Sequence, residues 1–208
     1  GVTRLSVGVQ SFNDTHLQAL GRVHNRAQAI AAVEEARQAF DTFNLDLMYA
    51  LPGQTLDTLD ADLMQALSLN PPHLSVYHLT IEPNTVFAKF PPTLPEDDVA
   101  YAMLDRITER TEAAGLHRYE VSAYARDGHR CWHNLNYWQF GDYLGIGAGS
   151  HSKISFAHRV VRQVRVREPM SYMQHAALMP VSQCNEVKRD ELPFEFMLNA
   201  LRLVNGFP

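Results

Sequence analysis

The sequence predicts an α/β fold, part of a (β/α) barrel, followed by an α+β extension. Two observations carry this. Three apolar strand-like runs, at residues 5–9, 45–51 and 74–81, alternate with segments of helical periodicity, which is the pattern of βαβ units on a parallel sheet. That alternation suits a barrel and a doubly wound sheet equally. The second observation separates them: Gln10, Asp46, Tyr77, His78 and Glu82 stand inside or just after the strands. Polar groups there favour a barrel, whose chemistry gathers at the C-terminal ends of its strands.

Each element has its own signal. Residues 5–9 read as a buried strand. Residues 13–20 read as a short helix capped by Asn13 or Asp14. Asn25 caps a longer helix in which Ala29, Ile30, Val33, Ala36, Arg37 and Phe40 recur at helical spacing. The strand at 45–51 closes on Pro52-Gly53. Thr55 caps a helix with Leu56, Leu59, Leu63 and Leu67 on one stripe, ended by Asn70-Pro71-Pro72. After the strand at 74–81, Pro95-Glu96 opens a helix running to about Ala114, with Gly115 as its stop.

The second half changes character. Residues 117–125 alternate as one strand. Residues 131–153 are rich in glycine and aromatic side chains. Residues 159–167 mix Arg and Val as a strand with a basic face, and residues 190–203 read as an amphipathic helix. The expected division is 1–125 for the barrel part and 126–208 for a connector and the start of a C-terminal domain.

Composition narrows the function classes. At 46% hydrophobic and 20% charged the chain is globular. A net charge of −5 argues against a nucleic-acid surface. No apolar run approaches the roughly 18 residues of a membrane span. Cys131 and Cys184 lie too far apart to frame a metal site, so they read as two unpaired thiols of a cytoplasmic protein. The chain opens within a strand pattern and closes on Gly206-Phe207-Pro208, so both ends read as cuts in a longer sequence.

Three stretches go beyond generic fold signal. They are Gly1-Val2-Thr3-Arg4-Leu5-Ser6-Val7-Gly8-Val9-Gln10-Ser11-Phe12-Asn13 with Leu20-Gly21-Arg22-Val23-His24, then Leu45-Asp46-Leu47-Met48-Tyr49-Ala50-Leu51-Pro52-Gly53-Gln54-Thr55, then Leu74-Ser75-Val76-Tyr77-His78-Leu79. In order and spacing they resemble the fourth, fifth and sixth strands of the radical-SAM family that contains oxygen-independent coproporphyrinogen III oxidase. The resemblance implies a partial radical-SAM (β/α) barrel. It also implies S-adenosylmethionine across the strand ends, with Gln10 and Asp46 on the ribose hydroxyls, Arg22 on the methionine carboxylate and Thr80 near the adenine. A planar, permanently charged fork suits that carboxylate. Read without the resemblance, a strand-end Asp also serves to cap a turn, and Arg22 also suits a helix surface.

The family holds its 4Fe-4S cluster on a C-x3-C-x2-C run, and this sequence has none. Three thiolates must converge on one cluster, so Cys131 and Cys184 do not replace it. The cluster is expected in an intact parent only.

A fourth stretch is His133-Asn134-Leu135-Asn136-Tyr137-Trp138, then Phe140-Gly141-Asp142-Tyr143-Leu144-Gly145-Ile146-Gly147-Ala148-Gly149-Ser150-His151-Ser152-Lys153. Its H-N-x-x-Y-W run resembles the HemW-type haem chaperones. The resemblance implies haem as ligand, His133 as axial donor to its iron, and Tyr137 and Trp138 as an apolar wall. A histidine beside aromatics also serves as an ordinary structural residue. Gly145, Gly147 and Gly149 imitate a dinucleotide fingerprint without the helix it needs, so close backbone packing against a cofactor is the expected account. His24, His78 and His151 match no metal spacing and read as ordinary polar positions. Arg159, Arg162, Arg165 and Arg167 read as a solvated strand face.

The expected function is a haem chaperone that binds haem and delivers it to acceptor proteins. The alternative is the oxidase reaction, oxidative decarboxylation of coproporphyrinogen III to protoporphyrinogen IX; whether the chain belongs to an enzyme stays open. A membrane-associated acceptor and a homodimer are both compatible with the resemblance.

Overall fold

The computed structural model describes residues 1–175, 178 and 180–207. The chain divides into two units, residues 1–130 and 131–208.

The first unit begins with β1 (Arg4–Gln10), α1 (Asp14–Ala19), α2 (Arg26–Ala39), β2 (Thr42–Tyr49), α3 (Leu56–Ser68) and β3 (His73–His78). Asn13 is the cap of α1, accepting from the Thr15 and His16 amides. Asn25 and Thr55 close reciprocal capping boxes with Gln28 and Thr58. The short helix α4 (Val86–Lys89), which sequence periodicity did not mark, precedes α5 (Asp97–Ala113). Gly115, at φ +75°, turns the chain out of α5 in the left-handed region.

β1, β2 and β3 pair in parallel, as the βαβ pattern requires. The run at 117–125 is two strands rather than one. β4 (His117–Glu120) and β5 (Ala123–Ala125) form a tight antiparallel hairpin, and β5 inserts beside β3. Alternation of residue types marks strand faces but says nothing of a two-residue reversal at Val121-Ser122. The sheet order is β1-β2-β3-β5-β4.

One face of this sheet carries the core. Val9, Leu45, Leu47, Leu74 and Val76 pack against Ala29, Val33 and Ala36 of α2, Leu59, Leu63 and Ala66 of α3, and Ala100, Met103 and Ile107 of α5. Burial of these apolar groups is the main stabilising contribution. Arg110 of α5 ties to α3 by a two-pronged bond to Asp60, Nε to Oδ1 at 2.7 Å and Nη2 to Oδ2 at 2.8 Å. The expectation that residues 5–9 are buried fails: within β1 only Val9 is buried, because β1 is the edge of the sheet.

The second unit is the α+β part. It holds α6 (Trp132–Trp138), β6 (His151–Ser155), β7 (Val160–Arg165), α7 (Pro169–His175), β8 (Val181–Glu186) and α8 (Leu192–Ala200). Its strands form an antiparallel sheet in chain order.

Candidate functional site

The face of the first sheet away from the helices is polar, and it holds two of the predicted site residues. Strand pairing aligns Ser6 with Asn44 and Gly8 with Asp46, then Asn44 with His73 and Asp46 with Ser75. Aligned residues of paired strands share a face, so these six project together. Asp46 is half-buried. Its Oδ1 accepts from Asn44 Nδ2 at 2.8 Å and its Oδ2 from Ser6 Oγ at 2.7 Å.

Gln10 comes to the same place by an unusual route. The register slips by one residue between Gly8 and Gln10. Gln10 itself takes φ +68°, a left-handed conformation that costs a non-glycine residue about 1 kcal/mol or more. Its side chain then lies over Gly8: a Cβ built on Gly8 would sit 2.9 Å from Gln10 Nε2. The Gln10 amide therefore lies over a strand position with no side chain, whose register partner on β2 is Asp46.

The next residues are pinned. Ser11 is fully buried, its Oγ donates to Asp62 Oδ2 at 2.6 Å, and the Phe12 amide donates to Asp62 Oδ1 at 2.8 Å. Burial of Asp62 pushes its carboxyl above the usual range, against the opposing pull of those two hydrogen bonds. Asp62 thus fixes the loop that leaves Gln10.

Arg22 is exposed, three residues after the end of α1, with its amide bonded to the Leu17 carbonyl at 2.9 Å. Thr80 borders a cleft of about 400 Å³ lined also by Leu20, Gly21, Glu82, Thr85 and Phe87. Thr80 thus shares this cleft with Leu20 and Gly21, and Arg22 does not line it.

Sequence reasoning missed the base of this face. His73 is buried; Nδ1 meets Asn44 Oδ1 at 2.6 Å and Nε2 meets the Tyr119 hydroxyl at 2.8 Å. Burial, with Arg4 and His129 adding to it, pushes His73 down to about 3, so the ring is neutral. Ser75 Oγ also donates to Asn44 Oδ1, at 3.0 Å. The available signal was alternation: 44 and 46, and 73 and 75, are polar at every second position of otherwise apolar strands.

In the second unit, His133 is exposed on α6. One turn on, Tyr137 presents a ring 4.8 Å away, edge to face. Tyr137 in turn lies 4.5 Å from Tyr143. Trp138 is less close, 6.5 Å from Tyr137, and the Arg202 guanidinium lies over its ring at 4.3 Å. His133 and Tyr137 are brought together; Trp138 is engaged with Arg202.

Within the glycine-rich stretch, Gly145 and Gly149 pack against the chain itself. A Cβ at Gly145 would lie 2.3 Å from the His151 carbonyl oxygen. Gly145 N donates to Ser152 Oγ at 2.9 Å, and Ser150 Oγ donates to the Gly147 carbonyl at 2.7 Å. Lys153 is buried, paired with Asp142 at 3.0 Å and donating to the Phe140 carbonyl at 2.9 Å. The four arginines are not a uniformly solvated face either. Arg162 holds Glu195 at 2.6 Å, Arg165 donates to the Gly145 carbonyl at 2.7 Å, and Arg159 stands 3.9 Å from Glu186.

Among the described residues no group of three or more His, Cys, Asp or Glu is arranged to hold a metal ion. Cys131 is half-buried beside α6 and Cys184 is exposed on β8. These two thiols do not fit a 4Fe-4S cluster. No helix among the described residues is long and apolar enough to cross a membrane.

Comparison with known proteins agrees with this architecture. Residues 1–66 match the radical SAM superfamily. The chain is 46% identical over 210 residues to the heme chaperone HemW of Escherichia coli (strain K12), covering 100% of this chain and 55% of that protein. It is 46% identical to HemW of Haemophilus influenzae, again over 100% of this chain and 54% of that protein. The chain thus spans about half the length of these relatives. Among solved structures, coproporphyrinogen III oxidase (HemN) from Escherichia coli, a radical SAM enzyme, superposes with a TM-score of 0.79 at 22% identity, over 98% of this chain and 50% of that one. At that identity the likeness establishes the fold. Along its whole length this chain is similar in sequence to HemW proteins, its residues 1–66 match the radical SAM superfamily, and it shares its fold with HemN.

Proposed function

We propose that this chain is part of a radical-SAM-fold haem chaperone that binds haem and passes it to acceptor proteins. The observation that carries the reading is identity of 46% over the whole chain, the H-N-x-x-Y-W segment included, to proteins named as haem chaperones. The exposed His133 ring held against Tyr137 at 4.8 Å supports it. An accessible imidazole is a strong donor to haem iron, and an adjacent aromatic edge suits a porphyrin plane. Trp138 extends the apolar surface of the same helix. Haem is here cargo, and the protein's own groups bind and orient it.

S-adenosylmethionine fits the first unit. Gln10, which lies over Gly8, and Asp46, the register partner of Gly8, would hold the ribose; Arg22 would hold the methionine carboxylate, and Thr80 would lie near the adenine. When bound to a cluster, this cofactor supplies a 5′-deoxyadenosyl radical. The cluster belongs to the intact protein and not to this chain's cysteines. The cytoplasm is the proposed location, and acceptors at a membrane surface and a homodimer are compatible with it.

A haem titration followed by the Soret band tests the reading, with His133→Ala in parallel. Saturable one-to-one binding, lost or spectrally shifted in the variant, is expected. Equal binding by both proteins removes His133 as ligand. Absence of specific binding by folded protein removes the chaperone reading of this chain.

A further inference from the structure

The polar face under Asp46 is a saturated hydrogen-bond network, and its directions follow from one end. A carboxylate only accepts. Asn44 therefore turns its amide nitrogen toward Asp46 Oδ1, and the second N–H of that nitrogen goes to Ser6 Oγ at 2.6 Å. The Asn44 oxygen then faces the other way. It accepts from His73 Nδ1 at 2.6 Å and from Ser75 Oγ at 3.0 Å. So His73 carries its proton on Nδ1, and Nε2 is the acceptor for the Tyr119 hydroxyl at 2.8 Å, across the intervening strand β5.

Every donor and acceptor of the Asn44 amide is used. Turning the amide over would set its oxygen against Asp46 and its N–H groups against the donors of His73. The cost of unmade bonds is high here because Asn44, His73, Ser75 and Tyr119 are all buried. Asp46 is the one member that is both charged and half-open. A carboxylate has about four lone-pair directions. Asn44 takes one on Oδ1 and Ser6 one on Oδ2, which leaves one on each oxygen. That is the acceptor pattern a vicinal diol needs.

The geometry points to Asn44 and Ser6 as positioning residues for Asp46: they clamp its two oxygens so that the free lone pairs meet a ribose diol, and His73, backed by Tyr119, locks the Asn44 amide in the required direction. This rests on the reading of Asp46 as a ribose ligand.

Two measurements test it. The first needs no ligand. Nitrogen-15 NMR of the histidine rings in this chain is expected to show His73 neutral, protonated at Nδ1 and bare at Nε2. The opposite tautomer, or a charged ring at neutral pH, overturns the lock. The second compares binding of S-adenosylmethionine and of its 2′,3′-dideoxy analogue by the intact, cluster-loaded protein. Asn44→Ala is expected to bind the natural ligand about tenfold more weakly, the size of one lost hydrogen bond to a charged group, and the dideoxy analogue as wild type does. Ser6→Ala, on the exposed edge strand, gives the same selective loss and serves if Asn44→Ala does not fold. Equal weakening for both ligands means a structural role only and overturns the inference, as does no weakening for either. If wild-type protein itself shows no preference for the diol, Asp46 is not a ribose ligand, and the positioning role falls with that reading.

Discussion

Gly8 and Gln10, neighbours but one on β1, compete for the same space: the Gln10 amide nitrogen sits 2.9 Å from where a Gly8 Cβ would be. Gly8 is not in the left-handed region, so alanine meets no backbone strain there. Its methyl group would instead displace the Gln10 side chain, which is flexible enough to move. Gly8→Ala is therefore expected to leave the melting temperature nearly unchanged, or to raise it slightly, since glycine within a strand costs roughly 0.5–1 kcal/mol relative to alanine. The same substitution is expected to weaken S-adenosylmethionine binding by the intact protein about tenfold, one hydrogen bond's worth. Binding isotherms beside thermal melts check this. A large drop in stability with unchanged affinity would contradict it.

Asp62 holds the start of the loop after Gln10 by two short bonds, to Ser11 Oγ and to the Phe12 amide. Asparagine keeps the bond from the Phe12 amide and donates to Ser11 Oγ in place of accepting from it, and the hydroxyl proton this leaves without its acceptor is offset by the absence of a charge to desolvate. Asp62→Asn is expected to be close to neutral in stability. Asp62→Ala leaves a buried hydroxyl and a buried amide unpaired and is expected to cost roughly 2–4 kcal/mol. Urea denaturation of the two variants separates these outcomes, and equal losses would show that the carboxylate charge itself is needed.

How much of this was legible beforehand differs from residue to residue. The capping residues Asn13, Asn25 and Thr55 were, because a cap is a local contract between a side chain and the next turn. So were the apolar stripes of α2 and α3, which the core repeats in Val33 and Leu63. The hairpin at Val121-Ser122 was not, since its turn carries no Gly, Asn or Pro to announce it. Asp46 was visible as a charge within an apolar strand. Its clamp was not, because Ser6, Asn44, His73 and Tyr119 lie on four different strands, and only the register brings them together. Gly145 shows the reverse: part of a conspicuous local pattern, it is packed against the His151 backbone of the chain itself, whereas Gly149 lies against Arg167.

Lys153 is a buried ammonium, its side chain 2% exposed, whose charge partner Asp142 is 45% exposed. Asp142 also accepts from Ser155 through its amide at 2.9 Å and its hydroxyl at 2.8 Å, and these bonds, with Lys153, hold its carboxyl below the usual range. Asp142→Ala leaves the ammonium uncompensated. Full burial of both partners would make that cost about 3–5 kcal/mol; the open carboxylate brings it to roughly 2 kcal/mol. Lys153→Met removes the charge along with the pair and is expected to cost less than Asp142→Ala. Chemical denaturation decides the order, and the reverse order would mean that the Lys153 bond to the Phe140 carbonyl outweighs the ion pair.

His73 predicts how stability depends on pH. In the folded protein its ring titrates at about 3, against 6.5 in an open chain. Below 6.5 the unfolded state takes up a proton that the folded state refuses, so stability is complete above 6.5 and falls as pH drops toward 3. The slope from one such group is about 1.4 kcal/mol per pH unit. Burial lowers His16 as well, which adds in the same sense. Asp62, raised by burial, acts oppositely, since its folded carboxyl takes up a proton before the unfolded one does. The lowered carboxyls Asp60 and Asp142 contribute only at the acid end, below their ordinary range. Just below pH 6.5 His73 and His16 both lower stability as the pH falls. His73→Gln is expected to flatten that part of the profile by about one proton's slope, whatever it does to stability at neutral pH. Urea midpoints taken at intervals through this window measure the slope directly; an unchanged slope would place the titrating group elsewhere and would mean that His73 is not held neutral by the network beneath Asp46.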